Sequence, residues 1–277
     1  MTIRIAIAAL AVLAGASAQA GETPWQEVAP GVSIRMISAG TLSADGKAML
    51  ALEIDMPETT KTYWRVPGET GLPISLDASA STGVSAHRLL WPYPQRETKS
   101  GKLDYVYYGP TILPLEVTGS ADATLDLKAT LGICSEICIP AQVNLSLPLT
   151  DDAPDSPNQL RIRQALAEVP IDWTEGADPV GSVEAMADGK AVSVEVDAAL
   201  LDPDSVIVAT NGDGLVFGAP QKSPQSNLVV LPILGKSDNS ALDGLDVEVT
   251  FMTDMGAYVV NRAVEAGSVA EAAEAGR

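Results

Sequence analysis

Histidine is nearly missing from this chain of 277 residues: His87 is the only one. Any Ser–His or Cys–His hydrolytic arrangement would have to run through that single imidazole. It lies in the strand-like stretch SAHRLLWPYP with no nucleophile elbow, and reads as a packing or surface residue. No phosphate loop, dinucleotide fingerprint or zinc motif occurs, and the acidic turns DDAPDSPN and NGDG lack calcium-loop spacing. No cofactor and no metal are therefore expected. Basic residues are also scarce, 17 Lys and Arg against 36 Asp and Glu, for a net charge of −19. That balance excludes nucleic acid and anionic membrane surfaces as default partners. Long apolar runs are absent beyond the N-terminus: the best, Leu228 to Leu234, is far short of the ~18 residues a spanning helix needs.

The first twenty residues, MTIRIAIAALAVLAGASAQA, read as a secretory signal. Arg4 precedes an apolar run from Ile5 to Leu13, and Ala18-Gln19-Ala20 offers small residues for cleavage. The mature chain is expected to start near Gly21, in an exported compartment and without membrane insertion. Such a compartment permits disulfides.

The stretch PLTDDAPDSPNQL, rich in Pro, Asp and Ser, divides two apolar-patterned regions. The expected organisation is signal 1–20, first domain 21–149, linker 150–158 and second domain 159–277. Short alternating runs before the linker predict strands at Val32–Ile37, Ala48–Ile54, Lys61–Val66, Ala86–Trp91, Thr111–Val117, Ala123–Cys134 and Ala141–Leu149. Such a series suggests an all-β, immunoglobulin-like sandwich. After the linker, Asn158 to Glu168 is helix-like and closed by Pro170; strands then resume around an Asp188-Gly189 hairpin signal. A second, smaller β-rich domain with a fraying Ala/Glu-rich tail is expected.

Only two cysteines occur, Cys134 and Cys138, in LGICSEICIP. Leu125, Leu127, Ala129, Leu131 and Ile133 alternate with Thr124, Asp126, Lys128, Thr130 and Cys134. Beyond them, Val143, Leu145, Leu147 and Leu149 alternate with Gln142, Asn144 and Ser146, and Cys138 is in phase with the polar set. Folding the chain at Glu136 sets Leu127 against Leu145, Ala129 against Val143, Lys128 against Asn144 and Cys134 against Cys138. This reversal matters, because in an extended strand the cysteine Cα atoms would stand roughly 13 Å apart, whereas a disulfide needs about 4.4–6.8 Å. Both sulfurs are then expected on the polar face, outside the core. The turn Ser135-Glu136-Ile137 has no Gly or Asn to take a positive φ.

From the residues alone three readings stand. A structural staple would close a short ring, worth roughly 2 kcal/mol, between strands that pair anyway. A soft metal site would have two thiolates and no accompanying histidine or methionine cluster. A redox pair would exchange electrons with other proteins. Glu136 lies between the cysteines, and the nearest upstream cations in sequence are Lys128 and Lys102. The free pair is therefore expected to react slowly alone and faster in docked complexes.

TLGICSEICIPAQVNLSLPL resembles the active-site hairpin of the N-terminal periplasmic domain of the thiol:disulfide interchange protein DsbD family, and of related suppressor-of-copper-sensitivity proteins. KTYWRVPGETGLP, LLWPYPQRE and YYGPTILPLEVT agree with it in order, so the resemblance spans roughly Gly21 to Leu149. It implies an immunoglobulin-like fold in the periplasm whose pair, Cys134 and Cys138, exchanges thiols and disulfides. It also implies thioredoxin-like periplasmic partners and a membrane electron-transfer protein that feeds the pair. By position, Cys138 would form the mixed disulfide, and a cap shielding the pair would fall within Tyr93 to Tyr108. Trp64, Trp91 and Tyr63 read as core or groove, and Tyr93, Tyr105, Tyr107 and Tyr108 as cap or groove. The cysteine spacing is shorter than in well-known members. The rival expectation is a non-catalytic binding module, in copper handling or cytochrome maturation, with an inert disulfide.

Overall fold

A computed structural model describes residues 21–149, 156–174, 176–210, 215–221, 223, 225–235 and 242–267. The signal stretch, most of the linker and the tail from 268 onward lie outside these described residues.

Period-two alternation makes the first region a set of antiparallel strands. They are β1 (Gln26–Ala29), β2 (Val32–Leu42), β3 (Lys47–Asp55), β4 (Lys61–Gly68) and β5 (Ser75–Asp77). β6 (Thr82–Leu89), β7 (Gln95–Lys99), β8 (Lys102–Tyr108), β9 (Thr111–Cys134) and β10 (Cys138–Pro148) complete it. The stretches expected as separate strands before and after Gly119 are one 24-residue strand, β9. It changes partners along its length. Its first half pairs with β3 and β6, and its second half with β10 and β5. Gly119 permits the crossing, since a Cβ there would stand 2.9 Å from the Gly83 carbonyl oxygen of β6. The hydrogen-bonded network folds on itself into an immunoglobulin-like sandwich. Leu50, Leu52, Leu113, Leu115, Leu125 and Leu145 fill its core. Each such leucine contributes about 1.5–3 kcal/mol by leaving water.

The second region opens with helix α1 (Ser156–Leu166), two residues earlier than Asn158, because Pro157 suits a helix's first turn. Its Ile162 packs with Ile37, Ala39 and Ala51 of the sandwich, and Arg161 reaches Glu53 at 2.7 Å. The strands that follow are β11 (Ile171–Asp172), β12 (Val180–Ala185), β13 (Ala191–Val196) and β14 (Ile207–Thr210). The last four are β15 (Val216–Phe217), β16 (Leu228–Leu234), β17 (Asp246–Thr253) and β18 (Gly256–Ala266). The Asp188-Gly189 signal does sit between β12 and β13, within a turn longer than two residues. β17 pairs with β18, and β18 runs parallel to β12, so the sheet closes into a barrel-like ring with β11 alongside.

The two regions touch through specific groups. Arg65 pairs with Glu248, and the Tyr93 hydroxyl donates to the Ser205 carbonyl. Arg96 donates to the carbonyls of Asp204 at 2.7 Å and Val206 at 2.9 Å. Ile207 and Ala209 of β14 join the sandwich core directly. No helix among the described residues is long and apolar enough to cross a membrane.

Candidate functional site

The register read from alternation is the register observed: Lys128 faces Asn144, Leu127 faces Leu145, and Cys134 faces Cys138. The ladder bonds fall on the odd residues. Leu149 N donates to Ala123 O at 2.7 Å, and Ser135 N to Ile137 O at 3.4 Å. Cys134 and Cys138 therefore form a non-hydrogen-bonded pair, the position where opposing Cα atoms come closest, about 4.5 Å. Their Cα atoms are 4.1 Å apart and the sulfurs are bonded. The missing glycine is no obstacle, because Ser100 is the only described non-glycine with positive φ, at 53°.

The two sulfurs live in different surroundings. Cys138 is exposed, as expected, but Cys134 is only 1% exposed. The expectation of two outward sulfurs is thus corrected for Cys134. Its cause is β4, which returns beside the end of β9 and sets Lys61 opposite Cys134. Tyr63, Val106 and Tyr108 then close over the sulfur.

Tyr63 makes the contact that bears on chemistry. Its hydroxyl oxygen lies 2.8 Å from the Cys134 sulfur and 3.6 Å from that of Cys138. A disulfide sulfur has no proton, so the phenol is the donor. Burial raises the Tyr63 pKa, with Lys61 pulling it down and Asp104 pushing it up, so the phenol keeps its proton near neutrality. Two glycines make the slot for the ring. A Cβ on Gly71 would stand 2.2 Å from Tyr63 Cδ1, and one on Gly132 would stand 3.1 Å from Cδ2.

Behind the ring is a polar cluster. Lys61 Nζ pairs with Glu97 and lies 3.6 Å from Asp104 and 5.5 Å from the Tyr63 ring centre. Tyr108 donates to Glu97 at 2.5 Å, and Thr70 donates to Asp104 through its hydroxyl at 2.5 Å and its amide at 3.0 Å. Burial works against the Lys61 charge, yet the Glu97 hydrogen bond together with the charges of Tyr63, Glu97 and Tyr108 outweighs it and the pKa rises. Burial likewise opposes the Glu97 charge, and hydrogen bonds from Lys61 and Tyr108 outweigh it and lower the pKa. This arrangement can hold a phenol donor against one sulfur while leaving the other open.

Other expected residues fall elsewhere. The stretch expected as a cap, Tyr93 to Tyr108, contains the β7–β8 hairpin, and only Val106 and Tyr108 from it cover Cys134. Tyr105 is in the core, edge-on to Trp64 at 5.6 Å, and Tyr107 donates to the Pro92 carbonyl at 2.7 Å. Tyr93 meets the second region, and Trp91 is half-buried beside the sandwich core. His87 is exposed on β6. Lys128 stands opposite Asp77 in the β5–β9 register and Lys102 lies 3.7 Å from Glu69, whereas the cation opposite Cys134 is Lys61. That cation, Lys61, and its partners Glu97 and Asp104 were not singled out from sequence. Lys61 and Glu97 do lie inside the quoted segments KTYWRVPGETGLP and LLWPYPQRE. No group of three or more His, Cys, Asp or Glu placed to hold a metal occurs among the described residues.

Comparison with known proteins bears on the family resemblance and the fold. Residues 33–150 match the family model of the thiol:disulfide interchange protein DsbD, N-terminal. The crystal structure of the N-terminal periplasmic domain of ScsB from Proteus mirabilis is similar at 21% identity, covering 90% of this chain and 100% of that one, with a TM-score of 0.71. A marsupial T cell receptor, at 12% identity over 88% of this chain and 100% of its own, has a TM-score of only 0.19 and supports nothing. No curated protein matches the chain. The resemblance read from the cysteine hairpin is thereby shown, and the all-β fold with it.

Proposed function

Proceeding from that match, we propose that this is an exported thiol:disulfide interchange protein whose exchanging pair is Cys134 and Cys138. The observation that carries the reading is the asymmetry of the pair: an open Cys138 sulfur bonded to a covered Cys134 sulfur that accepts from Tyr63. In the oxidised form, a donor thiolate attacks Cys138 Sγ, the S–S bond breaks, and Cys134 leaves as a thiolate. The Tyr63 hydroxyl stabilises that charge at the sulfur where it develops. A second donor thiol releases Cys138, completing a two-electron, two-proton reduction. Reduced Cys138 then attacks the disulfide of an oxidised exported protein, whose thiolate leaves. Cys134 attacks the mixed disulfide and frees the client as a dithiol.

The donors this chemistry requires are a thioredoxin-like protein or a membrane electron carrier, and the periplasm is the compartment that fits. The reduction potential tests the proposal. About −200 mV or higher is expected for an exchanging pair, and a value below roughly −300 mV would mark a structural bond and sink the reading. Cover over Cys134 is what favours the rival reading of a binding module with an inert disulfide. A low potential would select it.

A further inference from the structure

Ladder parity at the cysteine hairpin has a second consequence. Because the odd residues of β10 bond to β9, the even residues Cys138, Pro140, Gln142 and Asn144 turn their backbone groups to the outer edge. Three observations agree. The Gln26 side chain of β1 donates to the Asn144 carbonyl at 2.7 Å, capping the edge there. Gly132 N, even-numbered on β9, donates away from β10 to Leu72 O at 3.2 Å. Pro140, which has no N–H to offer, occupies an outward position. Between the Gln26 cap and the turn, Cys138 and Gln142 each present an outward N–H and C=O, beside the exposed sulfur.

We infer that this open edge of β10 docks an extended, cysteine-bearing segment of the protein with which Cys138 exchanges, as an added strand. This deepens the proposed function and rests on it. A residue paired with Cys138 through its outward groups would lie about 5.5 Å away between Cα atoms, on the same face of the sheet. A disulfide spans about 4.4–6.8 Å, so the mixed disulfide forms without moving either backbone. Pro140 removes one donor, so the outward N–H groups an added strand can use there are those of Cys138 and Gln142, with the Pro140 carbonyl left as an acceptor. Ile137 and Ile139, 75% and 37% exposed, and Leu72, 42% exposed, offer apolar contact at the same end. Glu136 beside the sulfur and the net charge of −19 favour an uncharged or basic segment over an acidic one.

The test uses the full chain carrying Cys134→Ser and a short basic peptide whose central cysteine is joined to thionitrobenzoate. Cys138 thiolate attacks the peptide sulfur and releases the thionitrobenzoate anion, which is followed by absorbance. Dithiobis(nitrobenzoate), which offers no strand, is the reference reagent. Gln142→Pro removes the outward N–H without touching the ladder. It should slow the peptide reaction about threefold to tenfold, the loss of one hydrogen bond, and leave the reference rate unchanged. Gln142→Ala should change neither rate. In the peptide adduct of the Cys134→Ser protein, the Cys138 and Gln142 amides should become protected from hydrogen exchange, which serves even if Gln142→Pro fails to fold. Equal peptide rates in all three proteins, or an adduct with both amides unprotected, would overturn strand addition alone. A Cys138 inert to the reference reagent would overturn the exchange reading and this inference with it.

Discussion

The two sulfurs of one disulfide sit in unlike surroundings, Cys134 buried and Cys138 exposed. Cys138 opens β10 at a free edge with solvent around it. Cys134 closes β9 beneath Tyr63, Val106 and Tyr108, with Lys61 across the strand. A hairpin is symmetric in its ladder, so the difference comes from what packs on each side. β4 lies along the β9 side, whereas past Asn144 no strand pairs with the outer edge of β10 among the described residues. The asymmetry divides the chemistry: an accessible sulfur to be attacked and a sheltered one to leave.

The cysteine substitutions test that division with the largest effect. Cys134→Ser should trap a mixed disulfide with a thioredoxin-fold protein, seen as a shifted band on a non-reducing gel. Cys138→Ser should trap it on the order of 100-fold more slowly, because attack depends on access to the sulfur. Equal rates would show that the cover over Cys134 does not matter.

Next in size is Tyr63→Phe, which keeps the ring in its glycine slot and deletes only the hydroxyl. Hydrogen bonds to charged groups contribute about 1.5–3 kcal/mol, so Cys134 thiolate should become roughly tenfold to a hundredfold harder to form. In the Cys138→Ser background the Cys134 thiol should titrate at higher pH, followed by thiolate absorbance. An unchanged titration would remove Tyr63 from the mechanism.

Gly71→Ala should act through the same hydroxyl less directly. Its Cβ would stand 2.2 Å from the Tyr63 ring and 2.7 Å from Pro67 Cβ, so the ring must shift. Overpacking of this kind costs about 1–3 kcal/mol. Urea unfolding should show that loss, together with slower reduction by dithiothreitol. Tyr63→Phe should alter the rate with little change in stability.

What could be read in advance follows the same division. The β9–β10 register was legible because period-two alternation left one fold-back that matched apolar to apolar from Leu127/Leu145 onward. The exposure of Cys138 followed from its phase. The cover over Cys134 was not legible. β4 is seventy residues upstream of the hairpin, and no local pattern in KTYWRVPG says that Lys61 will sit opposite Cys134. Tyr63 read as core or groove, and it is buried. Only non-local strand pairing turns its hydroxyl toward sulfur. The continuity of β9 was not legible for a related reason: the expected strands stop at Val117 and resume at Ala123, yet Gly119 between them marks a change of partner within one strand.

Acid should have the smallest effect, and only on the sheltered side. Glu97 is held below its ordinary value of 4.5: burial opposes its charge, but Lys61 and Tyr108 outweigh burial. A carboxylate with a depressed folded pKa stabilises the fold above the unfolded value and loses that contribution as pH falls through the folded one. Stability should therefore decline below about pH 4.5. Asp45, Asp77 and Asp122 are also lowered, chiefly by side-chain hydrogen bonds from Ser43, Ser79 and Ser120, and lose their share in the same direction. The informative quantity is thus the difference between the wild-type chain and Glu97→Gln, followed by urea midpoints from pH 7 to pH 3. Glu97→Gln should start less stable and fall less steeply. Because Lys61, Tyr63 and Cys134 share that cluster, acid should also loosen the cover over Cys134 while Cys138 stays as open as before. Parallel curves for the two proteins would mean that Glu97 does not hold the sheltered side together.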